Sequence, residues 1–185
     1  MKILDANTSC LLIIDPQEKL MKAVEKPEKV VHYTSLLINC ASLLNIPIIA
    51  TTQYKKGLGP IVQELESLLE NTSYKTLDKW EFNCFYNDDF KMLISKLPSC
   101  IDSFVITGVE AHICVFQTAL GAKENGFNTW IVTDAISSRE KKNKKAAIRL
   151  LNSNDIYCAT TEMIIYQWLK RANTQQFKSM LKYLK

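Results

Sequence analysis

Short runs that are apolar on every side, each cut off by a polar residue or glycine and each followed by an amphipathic stretch, constrain this chain more than any other feature. The first is Cys10-Leu11-Leu12-Ile13-Ile14, which ends abruptly at Asp15-Pro16. Successive side chains of a strand point to opposite faces, so an unbroken apolar run must bury both, as parallel strands do between layers of helices. Comparable runs occupy residues 47–51, 103–107 (closed by Gly108), 128–133 (ending in Asp134) and 155–159.

The intervening segments read as helices. Between residues 28 and 44, Val30, Val31, Thr34, Leu37, Ile38, Ala41 and Leu44 recur with three-and-four spacing, and Asn45 stands where a C-cap belongs. Helical patterns recur over 61–69, 88–97, 111–124, 141–151 and 161–170, the first behind a Gly57-Leu58-Gly59 loop whose Pro60 suits a helix start. The segment 74–86 is mixed and aromatic-rich, and carries no pattern of either kind. Strands separated by helices predict a single α/β domain over residues 1–185: an open, mainly parallel sheet of about six strands with helices on both faces, a Rossmann-like three-layer sandwich. A C-terminal helix over 173–184 places Phe177, Met180, Leu181 and Leu184 on one stripe, which must pack on the body or on another subunit.

With 185 residues, such a domain buries a full core without staples. The six cysteines are widely spaced and include no Cys-x-x-Cys pair, so they read as reduced thiols. A net charge of +4 is well short of a concentrated phosphate-binding patch, and no nucleic-acid partner is expected. The basic run at 139–145 reads as a solvated helix start. No apolar stretch approaches the roughly 18–20 residues of a membrane span, so no membrane partner is expected either. The first strand begins by Cys10, too early for a signal sequence ahead of it, and the expected address is cytoplasmic.

In open α/β sheets ligands bind outside the carboxyl ends of the strands, which singles out Asp15, Gln53, the turn at 108–114 and Asp134. Phosphate-loop and nucleophile-elbow motifs are absent, and the only histidines are His32 and His112, which argues against nucleotide, serine-triad and zinc chemistry. Cys114 falls in a first helical turn, where unpaired amides and the helix dipole favour a thiolate. Each candidate also has a plain structural reading: Cys114 as a small buried residue, Asp15 as an N-cap ahead of Pro16, and Lys79 as a solvated lysine laying its stem on Trp80.

Three segments taken together are far more specific: Leu11-Leu12-Ile13-Ile14-Asp15-Pro16-Gln17, Lys79-Trp80-Glu81-Phe82, and Thr107-Gly108-Val109-Glu110-Ala111-His112-Ile113-Cys114-Val115. The combination resembles the isochorismatase-like cysteine hydrolase superfamily. Asp134-Ala135 with Ser137-Ser138-Arg139, and Thr161-Glu162, agree with it, and Gln53-Tyr54-Lys55-Lys56-Gly57-Leu58-Gly59 resembles the branch of isochorismatase-domain-containing proteins.

The resemblance implies a catalytic triad of Asp15, Lys79 and Cys114. It also implies a cis peptide between Val109 and Glu110 that aims the backbone amides of Glu110 and Cys114 into an oxyanion hole. The implied reaction is hydrolysis of an amide or carbamoyl-type C–N bond in a small molecule through a thioacyl intermediate, with no cofactor and in a homo-oligomer. Nicotinamidases of the superfamily add an Asp-x-His and a distant His that hold a metal. This chain has Gln53-Tyr54-Lys55 there, so no metal is expected. Gln53, Trp80 and Phe82 are the expected substrate-binding residues, with Phe85 and Tyr86 completing an aromatic wall. Asn83 departs from the serine often found after the Lys-x-x-Phe motif. A non-catalytic scaffold and a vinyl-ether hydrolase are the competing readings.

Overall fold

The computed structural model describes residues 3–184. Its central strand, β1 (Ser9–Ile14), is buried along its whole length. It pairs in parallel with β2 (Ile48–Gln53) on one side and β4 (Ser103–Val109) on the other. Beyond β2 lies β3 (Lys75–Lys79); beyond β4 lie β5 (Asn128–Ser137) and β6 (Tyr157–Ala159). The order is β3-β2-β1-β4-β5-β6 with every pairing parallel, the open sheet that the apolar runs predict.

The helices are α1 (Glu18–Ala23), α2 (Pro27–Leu43), α3 (Lys55–Leu58), α4 (Gln63–Leu69), α5 (Asp88–Ile94), α6 (Cys114–Glu124), α7 (Lys141–Ser153), α8 (Thr161–Leu169) and α9 (Gln175–Leu184). They cover both faces. Leu11 and Ile13 of β1 face Leu37 of α2, Leu65 of α4, Ile165 of α8 and Met180 of α9. Cys10, Leu12 and Ile14 face Phe90 of α5, Val115 and Ala119 of α6 and Leu151 of α7. Two separate cores thus meet at one strand, which is why its run admits no polar residue. Among the described residues no helix is long and apolar enough to cross a membrane.

Several expectations are corrected. The segment 74–86 contains β3, an edge strand paired only with β2; its residues are mostly exposed or half-buried and only Lys79 is buried, so it has no apolar run to show. Residues 55–58 form a short helix, not a loop, and α4 starts at Gln63 because Ile61 is held in an isolated bridge to Gln17. Asp155 adopts a left-handed conformation (φ 55°), which shortens β6 to Tyr157–Ala159. Asp15 is not an N-cap: it is left-handed (φ 47°), and α1 begins three residues later at Glu18. The stripe on α9 is resolved in favour of the body. Met180 is fully buried, Phe177 and Leu184 pack against the same core, and the Phe177 ring lies 6.1 Å from Tyr166.

Gly108 sets how closely β4 approaches β1 at the site. Its φ of 114° is one that only glycine adopts without strain, and a Cβ there would run into the Ile14 carbonyl. Leu12, with no exposure in the core beneath α5, α6 and α7, tests the central strand. Leu12→Ala is expected to lower the free energy of unfolding by about 2–5 kcal/mol, measured by urea denaturation.

Candidate active site

Three neighbouring strand ends bring the polar groups together. Asp15 follows β1, Gln53 ends β2 and Lys79 ends β3, with Gln53 and Lys79 in register as direct partners. The Lys79 ammonium donates to Asp15 Oδ2 at 2.7 Å and to Gln53 Oε1 at 2.8 Å. Thr51 Oγ1 donates to the other carboxylate oxygen, Asp15 Oδ1, at 2.7 Å. The side chains of Asp15 and Lys79 have no solvent exposure at all. A buried ion pair survives only when hydrogen bonds satisfy what the Coulomb attraction leaves over, and Thr51 and Gln53 supply them.

Gln53 is itself held. Its amide nitrogen donates to the Trp80 carbonyl at 2.7 Å, and its backbone N–H donates to Gln17 Oε1 at 2.6 Å. Gln17 in turn donates to the Gly59 carbonyl at 2.7 Å. Both ends of the Gln53 side chain are therefore engaged within the protein, as a support for Lys79.

The nucleophile candidate enters from β4. The Val109–Glu110 peptide is cis. The following turn is pinned by hydrogen bonds from Ala111 N–H to the Ser137 carbonyl (2.7 Å) and from Ile113 N–H to the Glu110 carbonyl (3.0 Å). Helix α6 starts at Cys114, three residues later than its sequence pattern predicts. As a first helical residue Cys114 has a backbone N–H with no acceptor inside the helix. The Glu110 side chain turns away to Arg139, whose backbone N–H and Nε donate to it at 2.9 and 3.0 Å. Burial opposes the Glu110 charge, but these contacts outweigh it and hold the carboxyl below its ordinary range.

The electrostatics differ from the expected thiolate. Burial, the Asp15 carboxylate beside it and a hydrogen bond to that carboxylate push the Cys114 thiol well up, against the opposing pull of Lys79. Burial works against the Lys79 charge too, yet the Asp15 carboxylate more than compensates, and its pKa is raised. The resting arrangement is therefore a cationic lysine beside a protonated thiol. Cys84, fully buried and pushed up to about 12 by burial, is a second thiol near the pair.

The aromatic residues divide. Trp80 and Phe82 are exposed, at 70% and 51%, and Trp80 stacks on Tyr54 with ring centroids 4.6 Å apart. Tyr86 is likewise exposed. Phe85 is not a pocket residue: it is buried against Phe90 and Phe104 in the core. Asn83 is buried, caps Phe85 N–H at 3.0 Å and lies against Gly121 of α6, where any Cβ would collide with it. Among the described residues no cluster of three or more His, Cys, Asp or Glu is gathered as a metal site. Thr51 escapes sequence reading because a threonine near a strand end carries no motif of its own, and Gln17, though part of the first motif, gives no sign in sequence of its bond to Gln53.

The profile of the Isochorismatase domain matches residues 9–163. The chain belongs to the isochorismatase family. Isochorismatase family protein 1A of Dictyostelium discoideum is 34% identical over 179 residues, covering 96% of this chain and 86% of that protein. The structure of MAR1 ribonuclease from Caenorhabditis elegans is similar with a TM-score of 0.90 at 28% identity, covering 99% of this chain and 92% of that one. YcaC from Pseudomonas aeruginosa, solved with hexane-2,5-diol and covalent acrylamide, is similar with a TM-score of 0.88 at 25% identity over 98% and 91% of the two chains.

The buried pair makes a stability prediction for this isochorismatase-family chain. Lys79→Met strands a carboxylate without its partner and is expected to cost about 3–5 kcal/mol in urea denaturation. The double variant Asp15→Asn with Lys79→Met is expected to recover part of that loss, because no uncompensated charge remains.

Proposed function

We propose that the protein is a cysteine hydrolase that cleaves an amide or carbamoyl-type C–N bond in a small molecule, with Asp15, Lys79 and Cys114 as its catalytic triad. The observation that carries this reading is the fully buried Lys79–Asp15 pair, 2.7 Å apart, beside a buried Cys114 thiol that feels the charge of the same carboxylate. Thr51 and Lys79 hold the carboxylate in one orientation, so the thiol proton has a defined acceptor. The covalent acrylamide of the YcaC relative is consistent with nucleophilic chemistry in such a fold.

In this mechanism the Cys114 Sγ–H proton passes to Asp15 as Sγ bonds to the substrate carbonyl carbon. The oxygen becomes an oxyanion, received by the backbone N–H groups of Glu110 and Cys114, each worth about 3–4 kcal/mol in comparable holes. When the tetrahedral intermediate collapses, the C–N bond breaks and Asp15 returns the proton to the leaving nitrogen. Water then gives a proton to Asp15 and attacks the thioester; Sγ leaves and takes that proton back. Lys79 keeps its charge throughout and steadies the carboxylate. Trp80 and Phe82 offer exposed aromatic faces to a small, partly flat substrate. The enzyme works in this reading as a homo-oligomer, through surfaces other than the buried α9 stripe.

A second reading, action on RNA, takes support from the kinship to the MAR1 ribonuclease. One screen separates the two: ammonia release across small primary amides and carbamoyl compounds, beside cleavage of a single-stranded RNA, with wild type and Cys114→Ala. The expected result is turnover of a small amide that falls at least about 10³-fold in Cys114→Ala. RNA cleavage that survives Cys114→Ala would replace the proposal, and an inert protein on every compound would return it to a scaffold.

The pH dependence is a separate check. The Asp15 carboxylate raises the thiol, so Asp15→Asn is expected to move alkylation of Cys114 by iodoacetamide to lower pH. The same variant is expected to lose about 10²–10⁴-fold in turnover. Alkylation unmoved by that substitution would disconnect the two side chains.

A further inference from the structure

At the carboxyl end of β5 the N-terminal ends of α2 and α7 come together around a cavity of about 760 Å³. Neither Asp15, Lys79 nor Cys114 lines it. Five lysines do: Lys26 and Lys29 from the start of α2, and Lys141, Lys144 and Lys145 from the first turns of α7. Two carboxylates, Glu25 and Asp134, share the lining, and Asp134 Oδ1 is already taken by the Thr161 N–H and hydroxyl, both at 2.9 Å.

Lys144 is the best fixed of the cations. Half-buried, it donates to the Ile136 carbonyl at 2.7 Å. Burial, and after it the nearby Lys29 and Lys26, depress its pKa against the opposing pull of Asp134 and Glu25. Among the described residues, none of Lys26, Lys29, Lys141 and Lys145 takes part in a salt bridge. Converging like charges in a concave site repel one another, and an anion bridging them removes the repulsion.

We propose that this cavity is a binding site for a small phosphorylated anion carrying two or more negative charges. Its volume falls in the range of small-molecule sites, about 300–1,000 Å³, and crevices at the carboxyl ends of strands are where such folds take ligands. The cations are all lysines, compact point charges suited to phosphate, and no arginine fork offers the planar match that carboxylates favour. A long nucleic-acid strand fits less well. The basic residues are interrupted in sequence by Glu28 and Glu140, the latter paired with Lys142 at 2.7 Å, so the charge forms a pocket and not a track.

The test is calorimetric titration of the full chain with inorganic pyrophosphate at low salt and at physiological salt, beside inorganic phosphate, citrate and a single-stranded RNA. Wild type is expected to bind pyrophosphate at one saturable site, more tightly than phosphate or citrate and more weakly as salt rises. Lys29→Glu with Lys145→Glu reverses two exposed charges and is expected to weaken binding by more than about tenfold with an unchanged urea midpoint. Lys29→Ala with Lys145→Ala serves the same purpose should the reversal disturb folding. Alkylation of Cys114 is expected to proceed at the same rate with and without pyrophosphate, which separates this site from the triad. No pyrophosphate binding, binding unaltered in both double variants, citrate binding as tightly, or RNA binding that pyrophosphate does not displace would each overturn the proposal.

Discussion

The ion pair between Lys79 and Asp15 is the constraint on which the polar end of this sheet depends. Two charges without solvent exposure cost several kcal/mol each to desolvate, and their attraction offsets that only where geometry and hydrogen bonding are complete. Completeness here comes from three strands at once. The carboxylate, just past the end of β1, receives Thr51 of β2 and Lys79 of β3, while Gln53 of β2 takes a second proton of the ammonium. Any slip in strand register would turn alternate side chains to the opposite face and leave a buried charge unpaired. The two separate cores above and below β1 hold that register, so the apolar run of the first strand and the polar site at its end are one structural device.

The same burial decides how the thiol is used. A helix N-terminus alone favours a thiolate, and on that ground Cys114 reads as a preformed nucleophile. In the folded protein burial first, and the Asp15 charge after it, raise the thiol by more than Lys79 lowers it. In the proposed mechanism the proton stays on sulfur until an electrophile is present. Such an arrangement keeps a cysteine quiet towards small oxidants and alkylating agents, whose reactivity follows the thiolate fraction. In that mechanism the burden of activation falls on the carboxylate, which the Thr51 hydroxyl and Lys79 hold in place, with Gln53 holding the lysine.

How much of this was legible in the sequence follows from how each residue is buried. Ser9–Ile14 and Ser103–Val109 are sealed on both faces, so their apolar runs announce them. Lys75–Lys79 sits at the sheet edge with one partner strand, needs only its last residue inside, and is written in polar letters that read as loop. Asp15, Lys79 and Cys114 lie far apart in the chain; strand ends and a helix start single out Asp15 and Cys114, while Lys79 reads as a solvated lysine and joins them only through the family resemblance. The left-handed backbone of Asp15 illustrates the gap. An aspartate before a proline reads as a helix cap, and only the fold shows the chain turning there before α1 starts at Glu18.

The edge position of β3 has a consequence for how the site is built. A lysine stem must pass through the protein to deliver its ammonium to an aspartate two strands away, with β2 lying between them. Gln53, in register beside Lys79, spans that interval. It accepts from the ammonium with its oxygen and anchors to the Trp80 carbonyl with its nitrogen, which ties the end of β3 to the end of β2 where backbone pairing stops. Position 53 carries a neutral amide whose two polar ends are both occupied internally. A neutral residue is what a second cation-holding position requires here, since Asp15 already balances Lys79. A carboxylate at 53 would put an unmatched negative charge into the buried site, lift the thiol further and compete with Asp15 for the lysine.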